Sequence, residues 1–304
     1  MSSEPAQSAL LLAEHLSALV EQRLAQLRES LKASRRERSV EAVHDLRVAS
    51  RRLRAFGITF GSVLGNKLRR RLEKDLKRVT NAVGALRDLD VQVGLLEEHV
   101  AASPDELERA ALEHLLEQLE GPRAAAAAKA ESRLRELDMS ELTRRMRRAA
   151  RMVTAELLCV EGQRDYARTL LERLVADASE QVPPAHGTED PERLHRLRID
   201  CKEIRYALEL LEPVLRANFE PLHERATMLQ DLLGEYHDLT TLEQLVAESG
   251  ARLERQRRHT LGRGTQRAQA SLAAQRQAVL ERFRSRGFDS AWWREALEGA
   301  LPPR

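Results

Sequence analysis

Two segments of the sequence place histidine, arginine and lysine at the same spacing. One segment reads VHDLRVASRRLRAF at 43–56 and the other LHRLRIDCKEIRYA at 194–207, an offset of 151 residues. Arginine presents a planar fork of donors that matches phosphate oxygens, lysine presents a point charge, and histidine donates when neutral or gains charge beside an anion. The repeated cations are His44, Arg47, Arg51 and Arg54, and then His195, Arg198, Lys202 and Arg205. Residues of these types can bind a phosphate-rich polyanion.

On an ideal helix, each set of four cations forms one face, here called a cationic stripe. At 100° per residue the four cations fall within about 80° of arc, and apolar residues occupy about 120° to 220° on the opposite side. The apolar positions are Leu46, Ala49, Leu53, Phe56 and Phe60 in the first copy and Leu197, Ile204, Ala207, Leu208 and Leu211 in the second. Neither stripe contains an acid, and like charges one turn apart repel unless an anion relieves them. An ordinary solvated face mixes signs, so the pattern favours a binding site.

Charge is also segregated along the chain. Between residues 44 and 78 there are eleven Lys or Arg and three Asp or Glu, whereas between 97 and 120 there is one Arg against eight acids. The basic segment continues the first stripe with Lys67, Arg70, Arg71, Lys74, Lys77 and Arg78. The corresponding stretch 217–228 keeps only His223 and Arg225, so we expect a site that is stronger on the first-half side. The acidic block and the strip Arg144, Arg147, Arg148 and Arg151 are interpreted as solvated surface.

The elements that position these residues are predicted to be helices throughout. Apolar residues recur at three- and four-residue spacing, and no segment alternates as a strand does. Helices are predicted at 6–33, 40–62, 67–83, 87–101, 104–136, 141–158, 163–181, 192–217, 220–233, 238–249, 251–284 and 288–299. The clearest linker is Val182–Pro191, with Pro191 opening the next helix.

A second match supports an internal duplication, since VGALRDLD at 83–90 corresponds to LGEYHDLT at 233–240, an offset of 150. We predict an all-α fold of long antiparallel helices in two halves related by a pseudo-two-fold, which would bring the two cationic stripes face to face. One domain at 5–290 would consist of halves at 5–155 and 156–290, followed by a C-terminal tail at 291–304.

Composition limits the other possibilities. The sequence has no secretory signal and no apolar run of the roughly 20 residues that span a bilayer. Cys159 and Cys201 form neither a disulfide framework nor a metal-type spacing, so both are interpreted as core residues in a reduced, cytoplasmic protein. With 42% hydrophobic and 32% charged residues, the chain is typical of soluble helical proteins.

Rival chemistries find less support. The sequence has neither a Walker-type loop nor a G-x-S-x-G elbow. In the dipeptides His44–Asp45 and His237–Asp238 the side chains point about 100° apart, which disfavours a metal site, and no nucleophile shares a face with His44 or His195. Nucleic acid is the main alternative partner because any cationic groove releases counterions from it. Aromatic residues make up only 3% of the chain, which leaves few platforms for stacking bases.

The two motifs, V-H-D-L-R-V-x-x-R-R-L-R and L-H-R-L-R-I-x-x-K-E-I-R-Y, are each followed some thirty residues later by G-x-L-R-D-L-D or G-E-Y-H-D-L. In this pairing the chain resembles the CHAD family, the conserved histidine α-helical domain, over about 5–290. The resemblance implies two helical bundles around a basic cavity or pore. It also implies binding of inorganic polyphosphate and association with intracellular polyphosphate granules. No cofactor is implied.

Carried over residue by residue, the resemblance implies that polyphosphate is bound by both stripes and, on the following helix, by Lys74, Lys77 and Arg78. Tyr206 is expected to pack, and Asp88 and Asp238 to orient or cap a helix. Glu203 stands where the family commonly has a basic residue, and Asp200 falls in the apolar arc, where burial would demand a cationic partner. The sequence thus predicts a non-enzymatic polyphosphate-binding protein; the alternatives are a nucleic-acid or nucleoid-associated binder and, third, a phosphoanhydride hydrolase or metal-dependent phosphatase.

Overall fold

The structure, a computed structural model, describes residues 4–37, 39–157, 160–182, 190–215 and 219–301. Within these ranges the chain forms ten α-helices, one 3-10 turn and no strand, so the all-α prediction is confirmed. The first five helices are α1 (Glu4–Arg36), α2 (Val40–Thr59), α3 (Gly61–Ala102), α4 (Glu106–Arg135) and α5 (Ser140–Glu156). The next five are α6 (Val160–Gln181), α7 (Pro191–Leu211), α8 (Glu220–Arg255), α9 (His259–Ser285) and α10 (Ser290–Ala300), with the 3-10 turn at Glu212–Val214.

The order of elements repeats halfway along the chain. α2 begins at Val40 and α7 at Pro191, which preserves the offset of 151 residues between the two motifs. In each half a helix of about twenty residues, α2 or α7, precedes the longest helix of that half, α3 or α8. The repeated order is what a duplication predicts, and the pseudo-two-fold itself stays a prediction.

Two predicted helix breaks are wrong. The predicted breaks at 84–86 and 234–237 lie inside α3 and α8, because one interior glycine costs a helix only about 1 kcal/mol and packing of the apolar face exceeds that cost.

α9 begins at His259 and not at 251, after a turn in which Arg257 has a positive φ of 59°. α3 kinks at Gly65, whose φ of 67° is readily adopted only by glycine, so the long straight part of α3 starts at Asn66.

The chain divides into two compact units. Unit 1 comprises residues 1–82, 133–230 and 288–304, and unit 2 comprises residues 83–132 and 231–287. The halves predicted at 5–155 and 156–290 each contribute segments to both units, since the boundaries between units fall inside α3, α4 and α8 and between α9 and α10.

In unit 1 the helix contacts are themselves paired. α1 packs against α2 and α5, and α6 packs against α7 and α10. α2 also packs against α7, and α1 against α6. Each half therefore contributes three corresponding helices to this core. The core buries large side chains such as Phe56, Phe60 and Trp293. Residues 291–300 of the predicted tail belong to it as part of α10.

In unit 2, glycine allows close contact between α4 and α9. A Cβ at Gly264 would lie 2.1 Å from the carbonyl oxygen of Leu107 and 2.7 Å from the Cβ of Ala111, so only glycine fits. The carboxylate of Asp90 is buried in this unit and accepts a hydrogen bond from Nε of Arg123 at 2.7 Å. The pair compensates the cost of removing the carboxylate from water.

Some of the predictions made from the sequence fall on residues that the structure does not describe. Cys159 and residues 183–189 of the predicted linker lie outside the described residues. Cys201 is fully buried, as predicted, and burial raises the pKa of its thiol. Pro191 is the first residue of α7, as predicted.

Candidate anion-binding site

α2 and α7 begin after capping residues that are related by the repeat. The side chain of Ser39 accepts a hydrogen bond from the backbone N–H of Ala42, and the side chain of Asp190 accepts one from the N–H of Arg193. A cap of this kind stabilises a helix by about 1 kcal/mol. Ser39 and Asp190 stand 151 residues apart, each five residues before the histidine of its stripe. The two cationic stripes therefore start at equivalent points of their helices.

The two faces of α2 differ in exposure as the spacing predicts. All five apolar positions are buried, namely Leu46, Ala49, Leu53, Phe56 and Phe60. On the cationic stripe His44, Arg51 and Arg54 are exposed, and Arg47 is half-buried. α2 is thus held by its apolar face and leaves most of its cations accessible to a ligand.

The stripe on α7 is more enclosed. His195 is exposed, whereas Arg198, Lys202 and Arg205 are half-buried. A terminal nitrogen of Arg205 donates to Oε1 of Gln230 at 2.8 Å, and its Nε is buried with no hydrogen-bond partner in the described part of the chain. The pKa of the nearby His223 is lowered, mainly by burial and then by the positive charge of Arg205. The second stripe therefore offers less accessible charge than the first, and the expectation of a site that is stronger on the first-half side stays a prediction.

One hydrogen bond links the stripe of α2 to a residue beside the stripe of α7. Where α2 packs against α7, Nε of Arg51 donates a hydrogen bond of 2.7 Å to the phenolic oxygen of Tyr206. Tyr206 is buried among the helices of unit 1, so it packs as predicted and also orients an arginine of the opposite repeat. The fold thus brings together two halves of the predicted site that stand about 150 residues apart in the sequence.

A buried arginine of α1 forms hydrogen bonds to both α2 and α7, and it was not among the predicted site residues. One terminal nitrogen of Arg23 donates to the backbone carbonyl of Arg52 at 3.0 Å, and the other donates to Oε2 of Glu209 at 2.8 Å. Burial lowers the pKa of Arg23, and the charge of Glu209 opposes this effect. Arg23 therefore connects α2 to α7; it does not share the face of α1 that carries Arg28, Lys32 and Arg35, so no spacing pattern pointed to it.

The predicted cations on α3 form an exposed row. Lys74, Lys77 and Arg78 are exposed, while Leu72, Leu76 and Val79 are buried beneath them. Asp75 interrupts the sequence of this row but forms a salt bridge with Arg145 of α5. Ser50 of α2 and Thr80 of α3 are joined by a hydrogen bond of 3.1 Å between their hydroxyl groups. The row on α3 therefore lies beside α2 within unit 1.

Next to these helices unit 1 contains a cavity of about 570 Å³, here called the α2–α3 cavity. Four cations from three helices line it, namely Arg54 of α2, Arg69 and Lys77 of α3 and Arg173 of α6, together with one acid, Glu73. Arg54 and Lys77 are predicted site residues, and the other nine predicted residues do not line this cavity. Arg69 and Arg173 were missed, because Arg69 lies off the periodic face chosen on α3 and no motif marks α6.

Three carboxylates stand close to the site on the side of α7. The pKa of Asp200 is raised to about 6, chiefly by burial and then by the negative charges of Glu203 and Asp177, with Arg196 opposing. Burial also raises the pKa of Glu203, which Arg173 and Arg54 oppose. Asp200 is only half-buried, so the burial that would demand a cationic partner is incomplete; Arg196 favours its charged form, whereas burial and the neighbouring carboxylates favour the protonated form. Glu203 places a competing negative charge beside Arg54.

The remaining predictions concern residues outside this arrangement. Arg144 forms a salt bridge with Glu141, and Arg147 forms one with Glu21, as is typical of a solvated surface. Asp88 and Asp238 lie within α3 and α8, so neither caps a helix, and the alternative that they orient a helix stays a prediction.

Two further observations bear on the class of protein. Across the described ranges no three His, Cys, Asp or Glu side chains gather into a group that could hold a metal ion. None of the helices in those ranges has an apolar stretch long enough to cross a membrane.

Comparison with known proteins identifies the family. The family model of the CHAD domain matches residues 18–247. The structure is similar to the crystal structure of the CHAD domain from the plant Ricinus communis, with a TM-score of 0.63 and 22% sequence identity over 96% of this chain and 94% of that chain. It is also similar to PptA from Streptomyces chartreusis, with a TM-score of 0.56 and 17% identity over 94% of this chain and 99% of that chain.

At these identities the structural similarities establish the fold alone. No curated protein matches the sequence. The family model, however, covers more than half of the chain. The chain therefore belongs to the CHAD domain family.

Proposed function

We propose that this protein binds inorganic polyphosphate without cleaving it, through the cationic stripes of α2 and α7 and the basic row on α3. The observation that carries the proposal is the packing of α2 against α7, with Arg51 of one stripe bonded to Tyr206 beside the other. Polyphosphate binding is also what the resemblance to the CHAD family implies. A cytoplasmic location at polyphosphate granules belongs to the same proposal.

The chemistry of the site suits a ligand that is charged along its whole length. Exposed arginines and lysines recur along α2 and α3, and each can donate to the oxygens of one phosphate group. A chain of phosphates that contacts several such groups at once binds more tightly than any single contact would allow. The predicted contacts include no Phe, Trp or Tyr, so they offer few platforms on which nucleic-acid bases could stack.

A binding titration tests the proposal. Long-chain polyphosphate, duplex DNA and single-stranded RNA are titrated at the same salt concentration against wild type and an Arg51→Glu/Lys202→Glu variant. We expect polyphosphate to bind most tightly, and the variant to lose at least about tenfold in affinity, because two charge-assisted contacts become repulsive. A Lys32→Glu/Arg36→Glu variant makes the same change of net charge on exposed residues of α1 and serves as the control.

Three results would reject the proposal. Equal affinity for DNA and polyphosphate would favour a nucleic-acid binder. An equal loss in the α1 control would show that only net charge matters. Release of orthophosphate from polyphosphate over hours, with or without a divalent cation, would place the protein among the hydrolases.

A further inference from the structure

The cations that line the α2–α3 cavity are not held in salt bridges by carboxylates of the described part of the chain. Four cations and one carboxylate line it, and no hydrogen bond or salt bridge within the described ranges engages Arg54, Arg69, Lys77 or Arg173. Elsewhere in unit 1 arginines such as Arg23 and Arg145 are held by carboxylates. Cations that converge from three helices without such partners repel one another until an anion enters.

The cavity lies where the stripe of α2 ends. Arg54 is the last cation of the stripe and also lines the cavity. The lining includes both the last turn of α2, at Gly57 and Ile58, and the first turn of α3, at Gly61 and Ser62. These turns are joined at Phe60, so the junction of the two helices closes the cavity on that side. A Cβ added to Gly61 would lie 3.1 Å from Cδ of Arg69, which shows how closely this arginine lies against the junction.

Two further carboxylates, outside the cavity lining, lie within electrostatic range of its cations. Arg54 and Arg173 both act on Glu203, which also feels the negative charge of Asp177. An anionic chain that follows the stripe of α2 into the cavity thus meets the helix junction and these carboxylates. Both features disfavour its continuing past Arg173.

We propose that the α2–α3 cavity binds the terminal phosphate group of a polyphosphate chain, while the cationic stripe of α2 and the row on α3 bind its internal groups. A terminal phosphate carries a second ionisable oxygen with a pKa near 6, so it holds more negative charge than an internal group at neutral pH. Four converging cations match that extra charge. The volume of about 570 Å³ is in the range of small-ligand sites. This inference rests on the proposed polyphosphate binding.

The test compares three ligands that differ in their ends. They are inorganic triphosphate, long-chain polyphosphate with free ends, and the same long chain with both terminal phosphates capped as alkyl esters. Binding is measured for the full-length protein at matched salt. Wild type is expected to prefer the free-ended chain over the capped chain by at least about fivefold, because capping removes one negative charge from the group that the four cations surround.

Two variants of equal charge locate the effect. Arg69→Ala/Arg173→Ala changes the cavity alone, and Lys74→Ala/Arg78→Ala changes the row on α3. We expect the cavity variant to weaken triphosphate binding about tenfold and to abolish the preference for free ends, while affinity for the capped chain stays within about twofold. The variant of the row on α3 should weaken both long chains and keep the preference. Both variants should retain the far-UV circular dichroism of wild type.

The proposal is overturned if wild type binds free and capped chains equally, a result that requires no variant. It is also overturned if the cavity variant weakens the capped chain as much as the free one, because the cavity would then be an ordinary part of the stripe. Failure of the proposed function looks different. In that case long chains do not bind wild type at all, whatever triphosphate does.

Discussion

Among single residues, Asp200 has the environment that should affect stability most visibly with pH. Its carboxyl is half-buried on α7 beside Glu203 and Asp177, and its pKa is raised to about 6 in the folded protein. In the unfolded chain an aspartate titrates near 3.9. The folded state therefore binds a proton that the unfolded state has already released, and stability that is complete below about pH 4 is lost as the pH rises to about 6.

We expect Asp200→Asn to stabilise the protein at pH 8 by about 1 kcal/mol and to change it little at pH 4. The full value for a shift of two pKa units would be larger, but the carboxylate is partly solvated and screened. Denaturant unfolding at both pH values measures the difference. Asp45→Asn, which replaces an exposed carboxylate of α2, serves as the control. Equal stability changes at pH 4 and pH 8 in the Asp200 variant would contradict the prediction.

At the residue scale the sequence predicts the stripes but not their surroundings. Helical periodicity places Arg51 and Arg54 on one face and Leu53 on the other, because that geometry is local. Arg173 reaches the α2–α3 cavity from α6, and Arg23 reaches Glu209 from α1. Contacts of this kind depend on which helices become neighbours, and spacing within one helix carries no information about that.

At the scale of elements, the contact between α4 and α9 in unit 2 depends on the absence of a side chain. Because a Cβ at Gly264 would lie 2.1 Å from the carbonyl oxygen of Leu107, Gly264→Ala must push the two helices apart. We expect a loss of about 2 kcal/mol or more in the free energy of unfolding. Gly94→Ala on α3 is the matched control, since no heavy atom lies within 4 Å of its added Cβ. That control should gain about 0.5–1 kcal/mol from better helix propensity.

Far-UV circular dichroism during denaturation measures both variants. Similar stability changes in the two would show that propensity alone matters and that the close contact between α4 and α9 has no energetic role.

The helices themselves were largely predictable, and the errors have one cause. The capped starts of α2 and α7 and the long amphipathic stretches are encoded locally, so predicted and observed starts agree there. The breaks that were predicted in α3 and α8 fall near Gly84 and Gly234, but packing along the whole length of a helix outweighs the helix-propensity cost of one glycine. Gly65, by contrast, does interrupt α3, because its φ is positive. Sequence alone does not distinguish a glycine that is tolerated from one that is required.

Across the whole molecule, the segregation of charge follows the division into units. The basic segment from 44 to 78 lies in unit 1, as do both cationic stripes. The acidic block from 97 to 120 lies in unit 2. The near-neutral net charge of +2 therefore hides two opposed contributions. Unit 1 carries the candidate site, and the acids of unit 2 should repel the same ligand at long range.

The salt dependence of polyphosphate binding should separate these two roles. Each cation that contacts a phosphate releases counterions, so the slope of log affinity against log salt should fall by about 0.7 for each contact removed, by extension from single-stranded nucleic acids. We expect Lys74→Gln/Lys77→Gln/Arg78→Gln to lower the slope by about 2. Glu97→Gln/Glu113→Gln/Glu120→Gln changes the charge of unit 2 by the same amount in the opposite direction. It should raise affinity slightly at low salt and change the slope by far less than about 2, because those acids act on the ligand only through a screened field. Equal changes of slope in the two variants would mean that the basic row on α3 does not contact the chain, and that the protein attracts polyphosphate only by its overall charge.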